Sequence, residues 1–232
     1  MVLVIASILD EAAASLVNKF TRGAASLLTS MDLSRKDTDI LFHQIEKGSI
    51  VASGKKIQLG NISGVLTLIP NIYPMELVQI NKEDRSYVAS EMNAFMLWFL
   101  SQLKCPVLNP PSPTCLNGQL WRLEYWMKLA QQQAIPTLSL KRSNTRSYTT
   151  NTLKNEDYAR ITVIGRKCIG TKNAVLQNYS LRLAEVTNLN LLQVGFKRNF
   201  DGEWKFAHAS QFPDINDKKV AAAIIKFFSK KT

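Results

Sequence analysis

The side chains able to do chemistry in this 232-residue chain are few, and their spacing limits what they can do. There are two histidines, His43 and His208, and three cysteines, Cys105, Cys115 and Cys168. A zinc site built from His43, His208 and Cys168 would need convergence from distant segments and a fourth ligand, and no paired metal spacing supports it. No Ser-His-Asp or Cys-His set has recognisable local context for a nucleophile. GNISG (60–64) has neither the spacing nor the Lys-Ser/Thr ending of a phosphate loop. What remains is GFKRNFDGEWKFAHAS (195–210). Here Asp201-Gly202 is a hairpin-turn dipeptide between two strand-like runs, Leu191–Arg198 and Glu203–Ala209, and the far end reads Ala-His-Ala-Ser.

Charge gives a second lead. The 29 Lys+Arg outnumber the 18 Asp+Glu, for a net +11, which suits nucleic acid, an anionic membrane or an acidic polypeptide. Generic solubility is the competing explanation, because composition alone locates no patch. Two basic clusters, Lys141-Arg142-Arg146 and Lys226 with Lys230-Lys231, fit an anionic partner or simple solvated charge. WRLEYW (121–126) invites a base-stacking reading, but Trp121, Tyr125 and Trp126 at helical spacing are first of all a core stripe. The odd cysteine count without metal spacing favours a reducing, cytoplasmic setting. The apolar start MVLVIASIL lacks the basic lead of a signal peptide and reads as a buried strand, and FMLWFL (95–100) is too short to span a membrane.

The elements that must position these groups follow from periodicity. Val2–Ala6 reads as a central strand. Asp10–Phe20 reads as a helix capped by Asp10, with Ala12, Leu16 and Phe20 on one face. Ala24–Thr29 is a strand, SMDLSRKDTD (30–39) a loop, and Ile50–Ser53 with Lys56–Leu59 a hairpin about Gly54. Ile62–Ile69 is a strand ended by prolines, and residues 82–104 form the clearest helix, with an expected stripe of Tyr87, Met92, Phe95, Phe99 and Leu103. CPVLNPPSP (105–113) reads as a short strand running into a rigid loop, a helix covers Leu120–Gln133, and TLSL (137–140) resumes as strand. Alternation of this kind predicts an α/β fold with a mostly parallel, doubly wound sheet. Composition then shifts: 141–158 is polar and reads as a linker or exposed loop. Beyond it come a strand pair about Gly165 (159–170), a helix over Leu176–Thr187, the two strands of the Asp201-Gly202 hairpin, and a C-terminal helix from Val220.

Two blocks carry a resemblance. CPVLNPPSPTCLNGQLWRLEYWMKLAQQQAIPTLSL (105–140) resembles the end of the N-terminal domain of ATP-grasp ligases. The branch in question modifies peptides and includes the microviridin-type (graspetide) maturases and the ribosomal-protein glutamate ligases. ARITVIGRKCIG through the last helix (159–230) resembles the C-terminal part of the ATP-grasp core. The resemblance implies a pre-ATP-grasp-like domain at 1–140, a polar linker or loop at 141–158, and a shortened α+β core remnant at 159–232. The short polar stretch stands where family members carry a whole lid subdomain. It also implies that the metal-ligand positions fall on Gly195, His208 and Ser210, a poor set for magnesium, which takes carboxylate and carbonyl oxygens. Arg160 matches an arginine the family directs at phosphate. The reading is a degenerate, non-catalytic relative without cofactor or metal, binding a precursor peptide or a modifying-enzyme partner. Lys141, Arg142, Arg146 and Arg160 are its candidate partner contacts, and it is expected to be a cytoplasmic protein able to homodimerise. Two other readings stay open: an ATP-dependent carboxylate–amine ligase completed by a second chain, and a basic nucleic-acid-binding protein, which no helix-turn-helix or RNA-binding signature supports.

Overall fold

The structure is a computed structural model that describes residues 1–138 and 158–229. Lys141, Arg142 and Arg146, Lys230–Lys231 and most of the expected linker lie outside the described residues. In chain order the elements are β1 (Val2–Ile5), α1 (Glu11–Lys19), β2 (Ala25–Leu28), α2 (Ser30–Leu33), β3 (Ser49–Ala52), β4 (Lys55–Gln58), β5 (Gly64–Thr67), α3 (Arg85–Gln102), β6 (Val107–Leu108), α4 (Leu123–Gln132), β7 (Tyr158–Ile164), β8 (Lys167–Ile169), α5 (Ala174–Val186), β9 (Leu191–Arg198), β10 (Trp204–Ser210) and α6 (Lys218–Ser229). They fall into two compact units, Met1–Leu120 with Asp214–Thr232, and Trp121–Pro213. The sequence-based boundary at 140 does not coincide with this division. Helix α4 packs with the second unit, through Trp126, Met127 and Ala130 in one core with β7 and β9, and α6 belongs to the first.

The first unit is built on a parallel sheet of order β2-β1-β5-β6. Every residue of VLVI and GVLT is buried, as expected of parallel strands covered on both faces. Alternation along β5 shows the two covers. Val65 joins the core that includes Met96, Phe99 and Leu100 of α3, while Gly64 lies under the Phe228 ring of α6. A Cβ at Gly64 would collide with the Phe228 ring, so only glycine lets that helix approach. Asp10 caps α1 as the sequence predicts, accepting from the Ala13 N–H at 2.9 Å.

Two local expectations are corrected here. SMDLSRKDTD is not all loop: Thr29 and Asp32 form a capping box, each accepting from the other's backbone N–H, and this nucleates the single turn of α2. The stripe of α3 is Ala89, Met96, Phe99 and Leu100 rather than one led by Tyr87, which is 70% exposed. The run FMLWFL is apolar all round, so local periodicity could not choose its buried face; the sheet beneath it does.

The second unit is an antiparallel sheet of order β10-β9-β7-β8, a mixed α/β architecture together with the first. One face carries Ile161, Val163, Leu192, Val194, Phe196 and Phe206, all buried against α4 and α5. Segment 136–138 borders β10, where the Phe206 N–H donates to the Pro136 carbonyl and the Leu138 N–H to the Phe206 carbonyl. Gly165, at φ 57°, and Gly202, at φ 83°, sit in the two hairpin turns, in left-handed conformations that side chains disfavour.

Candidate functional site

The side chains singled out by sequence converge on the other face of this antiparallel sheet. Strand pairing fixes three rows across β7, β9 and β10. Tyr158 opposes Lys197, which opposes Lys205; Arg160 opposes Gly195, which opposes His208; Thr162 opposes Gln193, which opposes Ser210. A bulge at Ala207 makes this register: Phe206 pairs with Phe196 on the core side and His208 with Gly195 on the polar side. Without that extra residue, His208 would take the other face. Arg160, Gly195, His208 and Ser210 are therefore neighbours on one surface. Lys141, Arg142 and Arg146 lie outside the described residues and are not placed.

The centre of this surface is a clamp. Tyr158 and His208 reach toward each other from the outer strands and meet at 2.6 Å between the phenol oxygen and Nε2, above Gly195. A Cβ at Gly195 would be 2.7 Å from the His208 ring and would collide with the Tyr158 hydroxyl. Burial pushes the Tyr158 phenol above its usual pKa, and the Arg160 guanidinium beside it pulls the other way. The Arg160 guanidinium lies 6.0 Å from the Tyr158 ring centroid.

The remaining polar groups have local duties. Ser210 Oγ accepts from the Phe212 N–H at 3.1 Å. Asp201 accepts from the Glu203 N–H at 3.0 Å and from the Asn199 amide at 3.1 Å, and the first of these leads in holding its carboxyl below the usual range. Gln193 donates to Thr162 at 3.4 Å, and both are buried.

Magnesium and a magnesium-bound nucleotide do not fit the three positions. Gly195 offers no side-chain oxygen, His208 Nε2 is taken up by Tyr158, and Ser210 is a neutral hydroxyl; none is a carboxylate. A carboxylate could not be added at 195 without displacing the clamp. The zinc set fails on geometry as well. Cys168 opposes Val163 on the core-facing side of the sheet, opposite His208, and its thiol donates to the Gln177 carbonyl. Burial raises the pKa of all three thiols. The WRLEYW segment divides: Trp126 is buried and Trp121 packs on it edge to face at 5.1 Å, while Tyr125 is 49% exposed.

Known structures share this fold over nearly the whole chain. The macrocyclase MdnC of Microcystis aeruginosa, solved with its precursor peptide MdnA, superposes with a TM-score of 0.71 at 12% identity, covering 99% of each chain. A RiPP-associated ATP-grasp ligase of Chryseobacterium gregarium, solved with ADP and a leader and core peptide, gives 0.69 at 11% identity over 100% of this chain and 97% of that one. The fold is that of the ATP-grasp peptide ligases. PsnB, an ATP-grasp ligase solved with a minimal precursor, magnesium and ADP, agrees, at 0.67 and 13% identity over 99% of this chain and 98% of that one. Sequence comparison is silent: no protein-family model matches, and no curated protein matches either.

Within the ATP-grasp fold, one participant escaped the sequence reading. Tyr158 stands two residues before Arg160, so strand periodicity alone puts it on the same face. What could not be read is that β7 lies beside β9 with Tyr158 close enough to reach over Gly195 to His208. That register is a long-range property.

Proposed function

We propose that this protein is a non-catalytic relative of the peptide-modifying ATP-grasp ligases, binding a polypeptide but not carrying out ATP-dependent ligation. The polypeptide is a precursor peptide or a modifying-enzyme partner. The parallel-sheet unit corresponds on this reading to a pre-ATP-grasp domain, and the antiparallel unit to a core without its lid. The observation that carries the proposal is the Tyr158–His208 clamp above Gly195, which occupies the place a metal-binding carboxylate would need. Activation of a carboxylate by ATP requires charge neutralisation on the phosphates and exclusion of water. A glycine, a hydrogen-bonded imidazole and a hydroxyl supply neither. The peptide half of the proposal rests on the solved relatives, of which MdnC and PsnB are seen with their precursors.

The deciding measurement is calorimetric titration of the purified chain with magnesium and ATP, alone and after addition of peptide. No saturable heat at millimolar nucleotide is expected. Saturable, magnesium-dependent binding would instead favour a ligase completed by another chain. Capture from lysate of the source organism, after nuclease treatment, should retain a ribosomally made peptide or a modifying enzyme. Light scattering tests the expected homodimer. Among the described residues no helix is long and apolar enough to cross a membrane.

A further inference from the structure

The clamp surface is rich in donors and cations. Arg160, Lys197 and Lys205 share the face with Tyr158 and His208. The nearby acids, Asp201 and Glu203 at the hairpin turn, each lie 3.9 Å from Lys205. Arg160 and Lys197 form no ion pair among the described residues, Arg160 is exposed and Lys197 half-buried. Resting on the polypeptide-binding reading above, we propose that this face binds an extended segment with acidic side chains at alternate positions. Arg160 and Lys197 take the two carboxylates, and the hydrogen-bonded Tyr158–His208 pair forms the floor between them.

Three observations select this ligand. Arg160 opposes Gly195 while Lys197 opposes Tyr158, so the two cations are diagonal neighbours on adjacent strands. Diagonal neighbours stand roughly 7 Å apart, which matches the roughly 7 Å between side chains i and i+2 of an extended chain. An acidic-x-acidic segment therefore meets both at once. The Arg160 guanidinium lies 6.0 Å from the Tyr158 ring centroid, and its fork can present two parallel N–H groups to a carboxylate. A phosphate could use the same fork, but the N–H groups of these strands are committed to the sheet ladder and make no anion-binding nest.

The test is fluorescence anisotropy with the full chain and a labelled peptide containing Glu-x-Glu repeats, beside its Gln-x-Gln twin. Saturable binding of the Glu peptide alone is expected, weakened about tenfold by Arg160→Ala and by Lys197→Ala and less by Arg160→Lys. Thermal melts of the variants check that they fold. Equal binding of the Gln twin, or binding indifferent to both substitutions, would overturn the proposal. So would tighter, Arg160-dependent binding of ATP in EDTA or of a single-stranded oligonucleotide, either of which would assign the face to phosphate. The magnesium–ATP titration reads the non-catalytic proposal separately. No Glu-peptide binding with no nucleotide binding defeats only the inference made here, whereas saturable magnesium–ATP binding defeats the other.

Discussion

The two sheets solve the same burial problem in different ways, and the difference decides where a site can be. The parallel sheet of the first unit is covered on both faces, so VLVI and GVLT are buried at every position and have only their strand ends to offer. The antiparallel sheet of the second unit packs one face on α4 and α5, and its alternation leaves the other free to carry Arg160, Lys197 and His208. In the first sheet alternation chooses which helix a residue meets. In the second it separates structure from chemistry.

Four substitutions test that contrast, beginning with the largest effect. Truncation should be costly on both faces of the parallel sheet. Leu66→Ala and Val65→Ala, at neighbouring positions of β5 that face opposite ways, should each cost about 2–4 kcal/mol in chemical denaturation, from lost burial and a residual cavity. In β7 the same comparison should split, Ile161→Ala costing about 2–4 kcal/mol and Arg160→Ala within about 0.5 kcal/mol. Equal costs at 160 and 161 would show that the polar face is structural after all.

Gly195→Ala comes next, at about 1–3 kcal/mol, because the new methyl meets the clamp. Combined with Tyr158→Phe, which removes the colliding hydroxyl, its cost should fall below the sum of the two single changes. Strict additivity would mean that Gly195 is not held under Tyr158. Asp10→Ala should cost about 1 kcal/mol by removing the cap of α1, read from the thermal midpoint.

The smallest effect is at the hairpin. The Asp201 carboxyl is held below its usual range by the Glu203 N–H, so its folded pKa lies under its unfolded one. Its contribution is therefore present above the unfolded value and lost as pH falls through the folded value. Asp201→Asn should lower stability slightly at neutral pH and flatten the acid limb of the profile, the two proteins converging in acid where the carboxyl is protonated in both states. A loss as large in acid as at neutrality would contradict that assignment.

Much of the fold was legible because it is locally encoded. Asp10 before an amphipathic run, the Asp201-Gly202 turn, Gly165 after the β-branched run ITVI and prolines after Ile69 each carry their own stereochemical instruction. The face of α3 was not legible, since FMLWFL is apolar in every direction and only the sheet beneath it distinguishes Met96 and Phe99 from Trp98. The division between units was missed for a related reason. Composition changes at 141, but α4 packs with the strands that follow it, and α6 packs on Gly64 in the other unit.

The sequence by itself determined the chemical inventory of the site. It has a glycine, an imidazole and a hydroxyl where the resemblance expects metal ligands, an arginine on a strand, and a surplus of positive charge. It also determined which residues share a strand face, because side chains alternate with a period of two. Only the tertiary structure decided that Tyr158 crosses Gly195 to reach His208, and that Lys197 stands diagonal to Arg160. Those relations depend on strand order and on one extra residue at Ala207, and a shift of one residue in register would send each side chain to the opposite face.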